Sequence, residues 1–384
     1  MAVRIDATGD GFVTDEFIVP DYYQAFSCKG PDCRHPCCSG WGVTIPMKQY
    51  FHLLGMPADK KLREKLDRAF RPLLKPTPER YAEIAHDYRG ECPLRLESGW
   101  CMLHARLGED ALPTVCRDYP RGVRTDFANE ISCSNSCEKT LELLFASDAP
   151  IAFGRFAKPV RLPAQKVGRT AAERALYLKT RAYCFAILEN RTFSLSTRIL
   201  MIGRILHALE ADRTVDLGSI DLAVPVADKD IPLTYRVLQN VSRWFAGQNH
   251  SIAEYCRDNE SFYRDGDLKT KYETALGHFE TVLPNHAILF EKMLVNNLFF
   301  RQFPFVDDGA SFADVFTGFA GTYLFVRFLA ISMMRTKSTL EDFVDIMATT
   351  FRVISHTRFE HNVAVLLRDE DAADFATIAK LVQA

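Results

Sequence analysis

The 384-residue sequence lacks any strong excess of charge, with 47 Lys and Arg set against 49 Asp and Glu. That balance carries no polyanion-binding footprint, so nucleic acid is not an expected partner. There is no Gly-x-Gly-x-x-Gly after a strand, no phosphate loop and no alternation of strands with helices, which speaks against a dinucleotide-binding domain. An unbroken lipid-spanning run is missing too. The most apolar stretch, Ser311–Met334, is interrupted by Asp314 and Arg327, and its Phe312, Val315, Phe316, Phe319, Tyr323, Leu324 and Phe328 recur at helical spacing. A buried amphipathic helix is expected there, and no membrane partner. Met1–Asp6 has no basic leader, and no apolar segment of signal-peptide length follows. The expected location is the cytoplasm, where thiols stay reduced and disulfides are rare.

What the chain does have is cysteine in one place. Nine of the eleven cysteines lie at 28, 33, 37, 38, 92, 101, 116, 133 and 137, and only Cys184 and Cys256 lie beyond. Clustering of this kind calls for a disulfide framework, a metal or iron–sulfur site, or a redox thiol. A chain this long buries a core without covalent staples, and the neighbours Cys37 and Cys38 bridge one another poorly. Metal or iron–sulfur ligation is therefore the preferred reading. Glu97-Ser98-Gly99 reads as a turn placing Cys92 and Cys101 side by side, and His104 follows Cys101 by about one helical turn. His104 and His35 read better as hydrogen-bonded structural histidines than as ligands.

The fold class expected is mainly α: a loop-rich, cysteine-bearing metal-binding lobe over residues 1–150, then an all-helical region over 165–384. Residues 1–27 read as a partly extended lead-in. Helices are expected at Lys48–Leu54, Lys60–Leu74, Tyr81–Arg89 and Glu138–Ala146. Beyond Pro163, Thr170-Ala-Ala-Glu173 fits a capping box opening a helix through Leu188. Further helices are expected at Leu195–Glu210, Leu233–Gly247, Ser251–Tyr263, Leu268–Val282 and His286–Gln302. A second box, Ser338-Thr-Leu-Glu341, opens Leu340–His356, and Asp371–Val382 closes the chain. Cys184 and Cys256 fall on apolar helix faces and read as core.

Set out in this way, the chain resembles the flagellin lysine-N-methylase family, within a wider group of Cys-rich zinc or iron chelators. The likeness is carried by Cys28-x4-Cys33-x3-Cys37-Cys38-x-Gly40-Trp41 with Tyr50, by Cys92-Pro93, Cys101, Leu107-Gly108-Glu109 and Cys116-x-x-Tyr119-Pro120-Arg121, and by Ser136-Cys137-Glu138. Downstream, Glu291–Phe305 and Arg358-Phe-Glu-His-Asn362 match segments specific to the methylases. Glu138 stands where the family usually has Pro, and Cys133 stands where it tends to have an apolar residue, so Cys133 counts as an extra thiol. The resemblance implies metal-associated roles for Cys28, Cys33, Cys37, Cys38, Cys92, Cys101, Cys116 and Cys137. It also implies a [4Fe–4S] cluster, S-adenosylmethionine as methyl donor and flagellin lysines as acceptors.

Methyl transfer to lysine requires the amine to shed a proton from an ordinary pKa of about 10.4, which a dry channel favours. Tyr119, Asp118 and Glu360 are candidate acceptors for it, each with a structural role as the plainer reading. Asn296 and Asn297 either bond neighbouring helices or face the cysteine lobe. A radical enzyme's Cys-x3-Cys-x2-Cys triplet is not present. Zinc favours C-x2–4-C pairs, and only Cys33-x3-Cys37 fits. A non-catalytic zinc or iron adaptor and a metal-dependent oxidoreductase remain as alternatives.

Overall fold

The computed structural model describes residues 12–39, 42–88, 90–161, 168–225, 227–247, 250–306 and 309–384. Gly40 and Trp41 of the family match, and the first eleven residues of the lead-in, lie outside this set. The lead-in forms a strand, β1 (Phe12–Pro20). In the cysteine-bearing segment follow β2 (Thr44–Ile45), α1 (Met47–Gly55), α2 (Lys60–Ala69), β3 (Phe70–Pro72) and β4 (Ala82–Ile84). Next come α3 (Met102–Leu107), α4 (Thr114–Asp118), β5 (Arg121–Arg124), β6 (Glu130–Cys133), α5 (Glu138–Phe145) and β7 (Phe153–Arg161). The rest is helical: α6 (Ala171–Leu188), α7 (Leu195–Ala211), α8 (Ile231–Ala246), α9 (His250–Arg264) and α10 (Leu268–Val282). The series ends with α11 (His286–Arg301), α12 (Phe312–Met334), α13 (Leu340–His356), α14 (Phe359–Asp369) and α15 (Phe375–Gln383). The mainly α expectation holds.

Two sheets depart from a purely loop-like cysteine segment. One has the order β5-β6-β1-β7, with β1 parallel to β6 and antiparallel to β7 over its whole length, from Phe12 opposite Arg161 to Pro20 opposite Phe153. The other is β2-β4-β3, antiparallel throughout. Tyr81–Arg89 was expected as a helix, yet Ala82–Ile84 is the middle strand of this second sheet. Alternate residues Ala82 and Ile84 are buried, the period-2 pattern of a strand too short to read from sequence. The helix expected over Lys60–Leu74 stops at Ala69 because Phe70–Pro72 pairs with Ala82–Ile84. Asp371–Val382 likewise starts late, at Phe375, capped by Asp374, whose carboxylate accepts from Thr377 N at 3.0 Å.

The Thr170–Glu173 capping box forms, the Thr170 hydroxyl accepting from Glu173 N at 3.2 Å and the Glu173 carboxylate from Thr170 N at 2.7 Å. The second box is offset by one residue: Thr339 and Asp342 close it, not Ser338 and Glu341. Aspartate at the third helical position does the work expected of glutamate, since a carboxylate is all the reciprocal bond needs.

α12 is the axis of the helical body. It is long and apolar enough to cross a membrane by length and composition, but nearly all of it is buried inside the protein. It is buried as expected, but on nearly every face rather than along one apolar stripe, packed by α7, α10, α13, α14 and α15. Two glycines let α14 approach. A Cβ on Gly318 would lie 2.6 Å from the Glu360 carbonyl oxygen, and one on Gly321 would overlap the Val363 side chain. Overpacking of a dense core costs about 1–3 kcal/mol. Gly321→Ala is thus expected to lower the urea midpoint by that order of free energy, and Val363→Ala in the same chain to restore part of it.

Candidate functional site

The cysteine segment has its own small core. Val43, Ile45, Leu53, Leu62, Leu66, Phe70, Ile84, Leu94, Met102 and Leu103 close around buried Cys92, and Cys38, Cys101 and Cys116 pack against the same residues. Backbone bonds fix these thiols: Cys92 N donates to Cys38 O at 2.9 Å, Arg95 N to Cys92 O at 2.9 Å, and Arg95 bridges Cys101 across the predicted turn. Cys137 lies elsewhere, as the N-cap of α5 against the main core. The loop carrying Cys28, Cys33 and Cys37 is clamped over it. Buried Glu138 accepts from Lys29 Nζ at 2.6 Å and from His35 N at 2.8 Å. Arg34 pairs with Asp345 at 2.9 Å, and the buried Arg352 guanidinium on α13 donates to Ser39 O at 2.9 Å and Pro36 O at 3.2 Å. The glutamate that breaks the family pattern therefore ties down the cysteine loop.

All eleven cysteines are free thiols. Burial pushes Cys33 and Cys92 up to about 12 and raises Cys37, Cys38, Cys101, Cys116 and Cys137. Few cations oppose this: Arg95 lowers Cys38 and Lys65 lowers Cys92. Such thiols become ligands only when a metal supplies the positive charge and displaces their protons. Among the described residues no three cysteine sulfurs come within 4.8 Å of one another. That is wider than the edge of roughly 3.8 Å of a four-thiolate zinc tetrahedron with bonds of about 2.3 Å. As arranged here, the described cysteine sulfurs do not form a ready-made zinc tetrahedron.

His35, Glu138 and Asp345 do come together, His35 Nε2 lying 3.3 Å from Asp345. Lys29 and Arg34 neutralise these carboxylates, so the group is an ion-pair network. His104 stacks edge-on to Trp100 with ring centroids 5.4 Å apart. Cys133 lies in β6, and Cys184 and Cys256 pack in the main core.

A chain of hydrogen bonds runs from half-buried Tyr119 through buried Ser136 to His356. Tyr119 Oη lies 3.0 Å from Ser136 Oγ, which lies 2.9 Å from His356 Nε2. Burial raises Tyr119, with the neighbouring Cys137 thiol adding to it. Packing around His356 lowers the imidazole, helped by the Arg352 and Arg301 guanidiniums. His356 is exposed as a residue, so water screening moderates that shift without reversing it. Asp118 pairs with Arg117 at 3.0 Å. Asn296 bonds its neighbours, as the plainer reading expected: it accepts from Tyr22 Oη at 2.6 Å and donates to Cys133 O at 2.9 Å and Asn135 Oδ1 at 2.6 Å. Asn297 instead donates to Glu360 at 3.3 Å, and Glu360 accepts from Arg301 at 3.2 Å.

Beside this pair opens a cavity of about 350 Å³. It is lined by Arg124 and Asp126 from the β5 side, Arg301 and Phe305 from the end of α11, and Thr357 and Arg358 between α13 and α14. Burial and the nearby Arg301 charge both lower Arg124. Sequence reasoning did not identify this cavity. Its only trace was that Arg301, Phe305 and Arg358 fall inside the two methylase-specific segments.

Residues 181–381, more than half of the chain, match the family model of the FliB lysine N-methylase C-terminal domain. The chain belongs to that family. Similar curated proteins are the lysine-N-methylase of Salmonella choleraesuis (strain SC-B67), 33% identical over 141 residues, and that of Salmonella typhimurium (strain LT2), 32% identical over 137 residues. Each match covers 34% of this chain and 33% of the relative. The flagellar biosynthetic protein FliU of Salmonella muenchen is 30% identical over 141 residues, 34% of this chain and 78% of that protein. No solved structure matches. FliB-family membership accords with the placement of Glu291–Phe305 and Arg358–Asn362, which meet at the cavity.

Proposed function

We propose that this protein transfers methyl groups from S-adenosylmethionine to lysine side chains of flagellin in the cytoplasm. On this reading residues 1–150 hold a [4Fe–4S] cluster through the cysteines, and residues 165–384 complete the transfer site. The carrying observation is the cavity lined by Arg301 and Arg358, from the family's own segments, together with Arg124 of β5. Guanidinium groups bind carboxylates through paired charge-assisted bonds, which suits the amino-acid end of the donor. The same positive field disfavours a protonated lysine and so eases loss of its proton. Transfer then forms the N–C bond as the sulfonium C–S bond breaks, with alignment in the cavity supplying much of the rate. A bound cluster would stabilise the cysteine lobe, because ligation energy is folding energy there.

The test is anaerobically purified protein incubated with labelled S-adenosylmethionine and flagellin. Mass increases on flagellin lysines in steps of one methyl group are expected. An intact, cluster-loaded protein that leaves flagellin unmodified would refute the assignment.

A further inference from the structure

We propose that the eight thiols build two iron–sulfur centres, divided at the Cys37–Cys38 peptide bond. Cys38, Cys92, Cys101 and Cys116 form a lobe centre, and Cys28, Cys33, Cys37 and Cys137 form a seam centre. This rests on the iron–sulfur reading above and deepens it.

The division follows from packing. All four lobe thiols touch one small apolar core, and the other four do not belong to it. The lobe thiols are held on three separate backbone anchors: the Cys38–Cys92 hydrogen bond, the Arg95–Cys101 bridge, and the α4 turn in which Cys116 N donates to Pro113 O at 2.9 Å. The seam thiols come from a different pair of elements. Cys137 starts α5 on the main body, and the 28–37 loop reaches it through the Lys29–Glu138 and His35–Glu138 contacts. Cys37 follows Pro36, whose carbonyl oxygen accepts from the Arg352 guanidinium of α13 at 3.2 Å, so the main body holds Cys37 on the seam side. Four thiols complete one [4Fe–4S] cluster, and each set holds four.

The two positions differ in surroundings. The lobe centre is enclosed by apolar side chains. The seam centre has exposed Cys28 on its rim and leads through Tyr119 and Ser136 to His356, near the arginine cavity. Loss of the seam centre should therefore precede loss of the lobe centre on exposure to air.

The full chain, purified without oxygen, is expected to hold about eight iron atoms and eight labile sulfides, and to show two interacting spins when reduced. Cys116→Ala and Cys137→Ala should each retain about four of each. About four iron atoms in the wild type, with both variants devoid of iron, would overturn the proposal, as would stoichiometric zinc without sulfide. If a variant is insoluble, the wild-type iron count and spin quantitation decide alone. Methyl transfer is scored separately: a protein with two centres that does not methylate flagellin refutes the methylase reading and leaves this one standing.

Discussion

Glu291→Ala is expected to destabilise the folded chain by about 3–5 kcal/mol, the cost of orphaning a buried charge. Glu291 is 1% exposed. One carboxylate oxygen accepts from Arg198 Nη1 at 2.7 Å, and the other accepts from Arg191 Nη2 at 2.7 Å. Arg198 is only 3% exposed, so it cannot turn to water when the carboxylate goes. Arg191 is a third exposed on its side chain and can. The loss therefore falls mainly on Arg198. Urea denaturation followed by far-UV circular dichroism measures it. The double variant Glu291→Leu with Arg198→Met should recover most of the loss, because an apolar pair of similar volume is often as stable as a buried ion pair. A single variant within 1 kcal/mol of the wild type would show that water reaches Arg198.

Arg301→Ala is expected to lower kcat/KM for S-adenosylmethionine by about 10–100-fold, the equivalent of one lost charge-assisted bond. Iron content should not change, since the Arg301 guanidinium bonds Glu360 and lines the cavity. Arg301→Lys should be intermediate, as it keeps the charge but not the planar fork. Part of any effect could come from Glu360, which Arg301 and Asn297 share. Arg358→Ala separates the two: Arg358 is exposed and lines the same cavity, so its removal should weaken the donor's KM with stability within about 0.5 kcal/mol. Full activity in both variants would place the donor elsewhere. The readout is initial rate of labelled methyl incorporation against donor concentration.

Long helices were legible because their signals are local. Thr170, Ser194, Asp267 and Ser311 all cap by accepting from the amide three residues on, and apolar spacing does the rest. β1 was foreshadowed by the partly extended lead-in, whereas β2, β3 and β4 were not legible, because they are two or three residues long and owe their existence to one another. α14 was visible only as a family match, since Arg358 at its start makes no side-chain cap. The cysteines could be gathered by eye into one group, but their separation into two sets depends on which core each thiol touches. The arginine cavity draws on residues 124, 301 and 358, and no window of sequence spans those. Glu138 shows the reverse: a departure from the family pattern carried information, yet its use by Lys29 and His35 emerges only in three dimensions.

The β1–β7 pairing also sets an order of events during synthesis. Pro20 faces Phe153, a separation of 153 − 20 = 133 residues, and all nine clustered cysteines lie between them. At about 5–20 residues per second, β1 waits roughly 7–27 s after leaving the ribosome before β7 exists. Its other neighbour, β6, is also encoded beyond most of the thiols. Closing so long a loop costs about 4 kcal/mol in chain entropy, so the strands cannot hold it shut by themselves until the intervening segment has become compact. β1 is thus an unpaired edge for the whole time that the thiols are being made, and a chain starved of metal at that stage would expose it longest.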